Sequence, residues 1–118
     1  MKELEEWVIG SDKKPTINIY DNTGEAILIN SLLGYGIRLW NAEGSVIGSY
    51  GVNMTGFSAT EIVNIGDSSF DVVLDKSINT VEGIVRARIY TIWEDTEFTD
   101  SDFDDIGANM NLYNSVNP

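Results

Sequence analysis

The chain has no cysteine and no histidine, and only seven lysines and arginines against 19 aspartates and glutamates. Each shortage removes a class of chemistry. Without cysteine there is no disulfide framework, zinc–thiolate site or thiol nucleophile, and the redox compartment stays undetermined. Without histidine the usual hydrolytic triads and imidazole metal sites are excluded as well. Remaining acid–base chemistry would need paired carboxylates in a cleft, as in glycoside hydrolysis. A length of 118 residues closes one core but leaves little material for substrate walls. The residues therefore point to a non-enzymatic protein, with no catalytic residue, metal ligand or cofactor to assign.

Positive charge is scarce enough to narrow the partners. A formal charge of -12 and a pI near 4.1 would repel a phosphate backbone rather than neutralise it. Nucleic acid is a poor candidate partner on that ground, and an anionic membrane surface is disfavoured with it. Basic protein surfaces, neutral ligands such as glycans, and divalent cations remain. Long hydrophobic runs are missing too, since no stretch approaches the roughly 20 apolar residues of a membrane helix. Met1 to Trp7 carries no apolar h-region, so the expectation is a soluble chain made without a cleavable secretion signal.

What is present is a strand-and-turn grammar. Ile17 and Ile19 alternate with Thr16, Asn18 and Tyr20, which marks a strand with one buried face. Asp21-Asn22-Thr23-Gly24 supplies a turn, and Ala26 to Ile29 reads as a second strand. Gly34 to Trp40 reads as a strand, Asn41-Ala42-Glu43-Gly44 as a turn, and Ser45 to Val52 as the returning strand. Gly34-Tyr35-Gly36 lacks a third glycine at dinucleotide-fingerprint spacing and belongs to a strand start or bulge. Gly56 to Ile65 gives a further strand. Phe70, Val72 and Leu74 then alternate with Asp71, Val73 and Asp75. In the long run Gly83 to Glu94, Val85, Ala87, Ile89, Thr91 and Trp93 share one face, and Arg86, Arg88, Tyr90 and Ile92 the other.

The stretch Ile19 to Ile27 is echoed by Leu39 to Ile47. Both read aliphatic, aromatic, Asp or Asn, two residues, Gly, polar, small apolar, Ile. The echo is one hairpin solution used twice. About seven strands at eight- to twelve-residue spacing, without helical periodicity, predict an all-β fold. Its expected form is a single antiparallel β-sandwich over residues 15–94, immunoglobulin-like or jelly-roll-like, with a barrel as second choice.

The ends differ in composition. Residues 1–14 read as an N-terminal arm and 95–118 as an acidic C-terminal arm, with seven carboxylates between positions 94 and 105. Asp100, Asp102 and Asp104 match the first ligand positions of a calcium loop. Asp105, however, stands where that loop wants glycine, and Asn111 where it wants a bidentate glutamate. A solvated acidic tail is expected instead. Arg86 and Arg88 are expected to pair with carboxylates such as Asp71 or Asp75, with a recognition patch as the alternative. Tyr20, Trp40 and Tyr50 lie at or beside turns, where core or strand-edge packing is the first expectation and stacking on sugars or anchoring an interface the second.

The segment from Trp7 through Gly10, Asp12 and the Pro15–Tyr20 strand to Asp21-Asn22-Thr23-Gly24 and Ile27 resembles the opening of small β-sandwich domains in tailed-phage virion proteins. N-terminal domains of baseplate upper proteins are of this kind. The stretch Trp40 to Ile47 continues the likeness, which covers about the first half of the chain. The resemblance implies a structural role in the virion, with no catalytic residues to carry over. It implies a head-decorating or tail-associated subunit bound to capsid or tail proteins. The arms would then order against neighbouring subunits, with Trp7, Phe98, Phe103 and Tyr113 as apolar anchors. A carbohydrate-binding sandwich using Trp40 is the alternative.

Overall fold

The structure is a computed structural model that describes residues 5–21, 23–93, 102–104 and 110–118; at 93, 102–104 and 110–112 it describes the backbone alone. Among the described residues nine strands carry the fold: β1 Glu5–Val8, β2 Thr16–Asn18, β3 Gly34–Trp40, β4 Val46–Val52, β5 Ile62–Val63, β6 Ser69–Val72, β7 Gly83–Trp93, β8 Asp102–Asp104 and β9 Met110–Val116. Single 3-10 turns occur at Ile29–Ser31 and Lys76–Ile78. No helix among the described residues is long and apolar enough to cross a membrane.

Two sheets pack as a β-sandwich. The main sheet runs β1-β9-β7-β3-β4, with β8 also on β7, and the smaller one runs β2-β6-β5. Among the described residues every strand pairing is antiparallel except β1 with β9, and the isolated Tyr50–Ser58 bridge is parallel. The period-two pattern determines which faces meet. Val85, Ala87, Ile89 and Thr91 of β7 are buried, as are Tyr35, Ile37 and Leu39 of the neighbouring β3. From the smaller sheet Ile17, Phe70 and Val72 close the same core, joined by Ile19 and Leu74 just beyond its strands. The Tyr35 and Phe70 rings, one from each sheet, lie 5.2 Å apart.

The two echoed turns are the same structure. Gly24 N–H donates to the Asp21 carbonyl and Asp21 N–H to the Glu25 carbonyl; Gly44 and Asn41 repeat this with Ser45. The Asp21 carboxylate accepts from the Thr23 and Glu25 amides, and the Asn41 side-chain oxygen from those of Glu43 and Ser45. Both glycines need positive φ, at 88° and 84°, which glycine adopts without steric cost. The Thr23 hydroxyl also donates to the Asp21 carboxylate, and these bonds hold the carboxyl below its ordinary value, the hydroxyl bond being the largest cause.

Three expectations are corrected. Ala26 to Ile29 is not a strand: Ala26 makes one isolated bridge to Tyr20, and a 3-10 turn begins at Ile29. Gly56 to Ile65 shrinks to the two residues of β5, with Ser58 bridging to Tyr50. The third correction is at the ends. Glu5–Val8 and Met110–Val116 are strands of the main sheet, with Trp7 opposite Ser115 and Val85 opposite Tyr113, so these residues are not arms. The middle of the expected C-terminal arm, residues 94–101 and 105–109, lies outside the described residues.

Candidate functional site

The outward face of the main sheet is where the chain's arginines collect. On β3 the phase opposite to Tyr35, Ile37 and Leu39 carries Gly34, Gly36, Arg38 and Trp40. Register aligns these with Ile92, Tyr90, Arg88 and Arg86 of β7, and on the other side Gly36, Arg38 and Trp40 face Gly51, Ser49 and Val46 of β4. All three arginines of the sequence therefore share one patch. Arg38 and Arg88 are directly opposite, an arrangement that destabilises a sheet unless other contacts offset it.

Those contacts are present for Arg38. Its guanidinium lies 4.5 Å from the Phe57 ring centroid and 6.0 Å from that of Tyr90, while its Nε donates to Ser49 Oγ at 2.9 Å. Phe57 and Tyr90 meet edge to face at 5.8 Å. A cation over aromatic faces is stabilised by about 0.5–2 kcal/mol, enough to hold Arg38 beside Arg88. Arg88 makes contacts of its own beyond these.

The loop after β4 covers half of this face. Met54 packs over Gly36 and Gly51, where its sulfur would lie 3.1 and 3.2 Å from an added Cβ. The glycine pair thus forms the hollow that the methionine fills. Asn53, exposed at φ 57°, starts the crossing, and Ser58 ends it by exchanging backbone hydrogen bonds with Ser49 and Gly51 at the β4 edge. The other half stays open. There Trp40, Asn41, Gly44, Arg86 and Arg88 line a concavity of about 300 Å³. Arg86 is exposed, Trp40 and Arg88 half-buried, and Val46, Ile84 and Val8 lie exposed along the same side.

The expected arginine partners are elsewhere. Asp71 accepts from Thr16 Oγ1 at 2.6 Å and Asn64 Nδ2 at 2.8 Å, and these bonds hold its carboxyl below the ordinary range, Thr16 the larger cause. Asp75 accepts from Ser77. Both belong to the smaller sheet or its continuation, so neither neutralises Arg86 or Arg88. A second concavity, of about 320 Å³, lies there between Asp12, Lys13, Lys14, Val73 and Asp75. Asp12 and Asp75 are already committed in it, to the backbone amides of Lys76 and Ser77.

Of the four expected anchors, Trp7 and Tyr113 are corrected. Trp7 is 0% and Tyr113 3% exposed, their rings edge to face at 5.5 Å, so both are core residues of this chain. Phe98 lies outside the described residues, and of Phe103 only the backbone is described, paired with Ile92 on β8. Asp100, Ser101 and Asp105 of the acidic run are likewise outside. Among the described residues no cluster of three or more acidic side chains is placed to hold a metal ion.

Burial gives Tyr113 a measurable signature. It raises the phenol from an ordinary 10.0 to about 12, with the Glu5 carboxylate adding to the shift. Tyr35 and Tyr50 are also raised, burial first in both. An acid whose folded value is raised stabilises the fold fully below its unfolded value and loses that contribution above it. Stability is therefore expected to hold up to about pH 10 and fall between about 10 and 12, by roughly 2–3 kcal/mol from Tyr113 alone. Urea melts across that range, with tyrosinate absorbance at 295 nm, check this. All five tyrosines ionising near pH 10 without loss of structure would place Tyr113 at the surface.

The sequence matches no protein-family model, no curated protein and no solved structure.

Proposed function

We propose that the chain is a non-enzymatic assembly subunit of a tailed-phage particle, docking on other virion proteins through the outward face of its main sheet. One observation carries the docking part. A chain of formal charge -12 gathers all three of its arginines around Trp40, beside exposed Val46 and Ile84. Interfaces are enriched in arginine and tryptophan because both offer large contact area with a directional polar end. The virion assignment rests on the likeness of Trp7 to Ile27 and Trp40 to Ile47 to small phage sandwich domains. The first segment supplies β2 and the first Asx-type turn; the second supplies the turn that borders the concavity.

Mass spectrometry of particles purified from a host that carries the gene tests the assignment. The chain is expected at a fixed ratio to the capsid or tail proteins after high-salt washing. Particles lacking it would overturn the virion reading.

A glycan-binding reading is favoured by one feature, the half-buried Trp40 indole beside Asn41, Arg86 and Arg88. It predicts a saturable change in tryptophan fluorescence with oligosaccharides that Trp40→Ala abolishes. A flat response across neutral and acidic glycans would remove it.

A further inference from the structure

We infer that the open half of the outward face is a binding site for an acidic protein segment that carries a carboxylate and an aromatic or aliphatic residue two positions apart, so that both point to the same side of an extended chain. The inference rests on the docking reading above and names the chemistry of the partner. Three features of the site select it. Arg86 is exposed at the rim of the concavity, and a guanidinium fork pairs with a carboxylate through two parallel hydrogen bonds. Trp40, directly opposite Arg86 in the β3–β7 register, supplies an apolar face next to that charge, with exposed Val46 beyond it. Arg38 and Arg88 stand one step further along the same face. Both are engaged by their own neighbours, so they add positive potential while Arg86 makes the direct contact.

The position matters more because of its surroundings. The chain as a whole is strongly acidic, so a carboxylate-bearing segment is repelled by most of the surface and meets three arginines together only on this face. That contrast gives orientation and register rather than bulk affinity. The spacing also fits an extended occupant. Successive outward residues of a strand lie about 7 Å apart, so the Trp40–Arg86 row and the Arg38–Arg88 row offer an apolar contact and positive charge at the repeat of a strand's alternate side chains. The other half of the face, closed by Met54 and Phe57, limits the occupant to a short segment.

The probe is a fluorescein-labelled peptide of Asp-Ser-Phe-Ser repeats, which presents carboxylate and aromatic in turn on one face when extended, titrated with the full chain at low and physiological salt and followed by anisotropy. Binding is expected to saturate, to weaken with salt, and to fall about tenfold with either Arg86→Glu or Trp40→Ala. Circular dichroism should show both variants folded, since Arg86 is exposed and Trp40 is only half-buried. Lys14→Glu makes the same charge change at an exposed position in the other concavity, and is expected to leave binding within about twofold. Equal losses for Lys14→Glu and Arg86→Glu would mean attraction to net charge without a site, and would overturn the inference. So would equal binding of the peptide with Asn for Asp, or an acidic oligosaccharide that binds through Arg86 where the peptide does not. Self-association of the chain that Arg86→Glu abolishes would identify a second copy as the occupant and overturn the foreign-partner assignment. A chain found in particles that fails to bind the peptide loses this site and keeps its virion role; the reverse result removes the role and keeps the site.

Discussion

Deleting residues 110–118 is expected to abolish cooperative folding. β9 is the one described strand that joins β1 to the rest of the main sheet, pairing with β1 on one side and β7 on the other. Its removal takes away Tyr113 and Ser115, both buried, and uncovers Trp7 and Val85. Loss of one buried aromatic costs about 3–5 kcal/mol, and here a second is left without its partner. The sum approaches the 5–15 kcal/mol that holds an ordinary domain together. The truncated chain should show no sigmoidal transition in urea or heat and should be digested throughout by trypsin at concentrations the full chain survives. An acidic arm that ordered only on a partner would behave oppositely, its deletion leaving the melting midpoint of the sandwich unchanged. A normal melt would therefore remove β9 from the fold.

The contrast between that strand and the ones legible from sequence has a physical cause. β2, β3, β6 and β7 could be read because most of their inward positions are apolar at every second residue, as in Phe70 and Val72 or Val85, Ala87 and Ile89, and β4 because the Asn41–Gly44 turn announces its return. β9 breaks the pattern at Ser115, an inward hydroxyl whose burial is satisfied by donation to Asn79 Oδ1. β1 offers one buried side chain in four, Trp7, among the exposed Glu5, Glu6 and Val8. Neither strand closes on a neighbour in sequence: Glu5–Val8 pairs with Tyr113–Val116 at the far end of the chain, so no turn signal announces it. The 3-10 turn at Ile29 hid in the opposite way, behind an apolar run that reads as a strand.

The site was legible by halves. The strand phase of β7 puts Arg86 and Arg88 outward, and the period of β3 does the same for Arg38 and Trp40. That these four meet depends on β3 pairing with β7 across the intervening smaller-sheet residues, a non-local fact that periodicity does not carry. The acidic partners expected for the arginines, Asp71 and Asp75, were drawn from the other sheet for the same reason. Had the β3–β7 pairing been available, the direct opposition of Arg38 and Arg88 would have singled out this face at once, because it is costly to build.

Trp7→Ala is the sharpest single-residue test of how the ends are joined. The indole is fully buried, packs edge-on to Tyr113 at 5.5 Å and donates from Nε1 to the Ser11 carbonyl at 2.8 Å. Its own carbonyl accepts from Asn79 Nδ2 at 3.1 Å, and Asn79 in turn receives the Ser115 hydroxyl. One residue thus anchors β1 to the aromatic core, to the turn that follows it, and to the buried amide that also ties down β9. Truncation to alanine leaves a cavity and an unmatched carbonyl, for an expected loss of about 3–5 kcal/mol. Trp7→Phe keeps most of the packing and loses the Nε1 bond, for about 1–2 kcal/mol. Urea melts followed by circular dichroism measure both, and the order wild type, Phe, Ala is the prediction. An anchor that served another subunit would leave the isolated chain's midpoint unmoved and weaken only its binding. The opposite pattern is expected, with stability lost in the free protein and, at temperatures where the Phe variant stays folded, the Trp40–Arg86 site working as before.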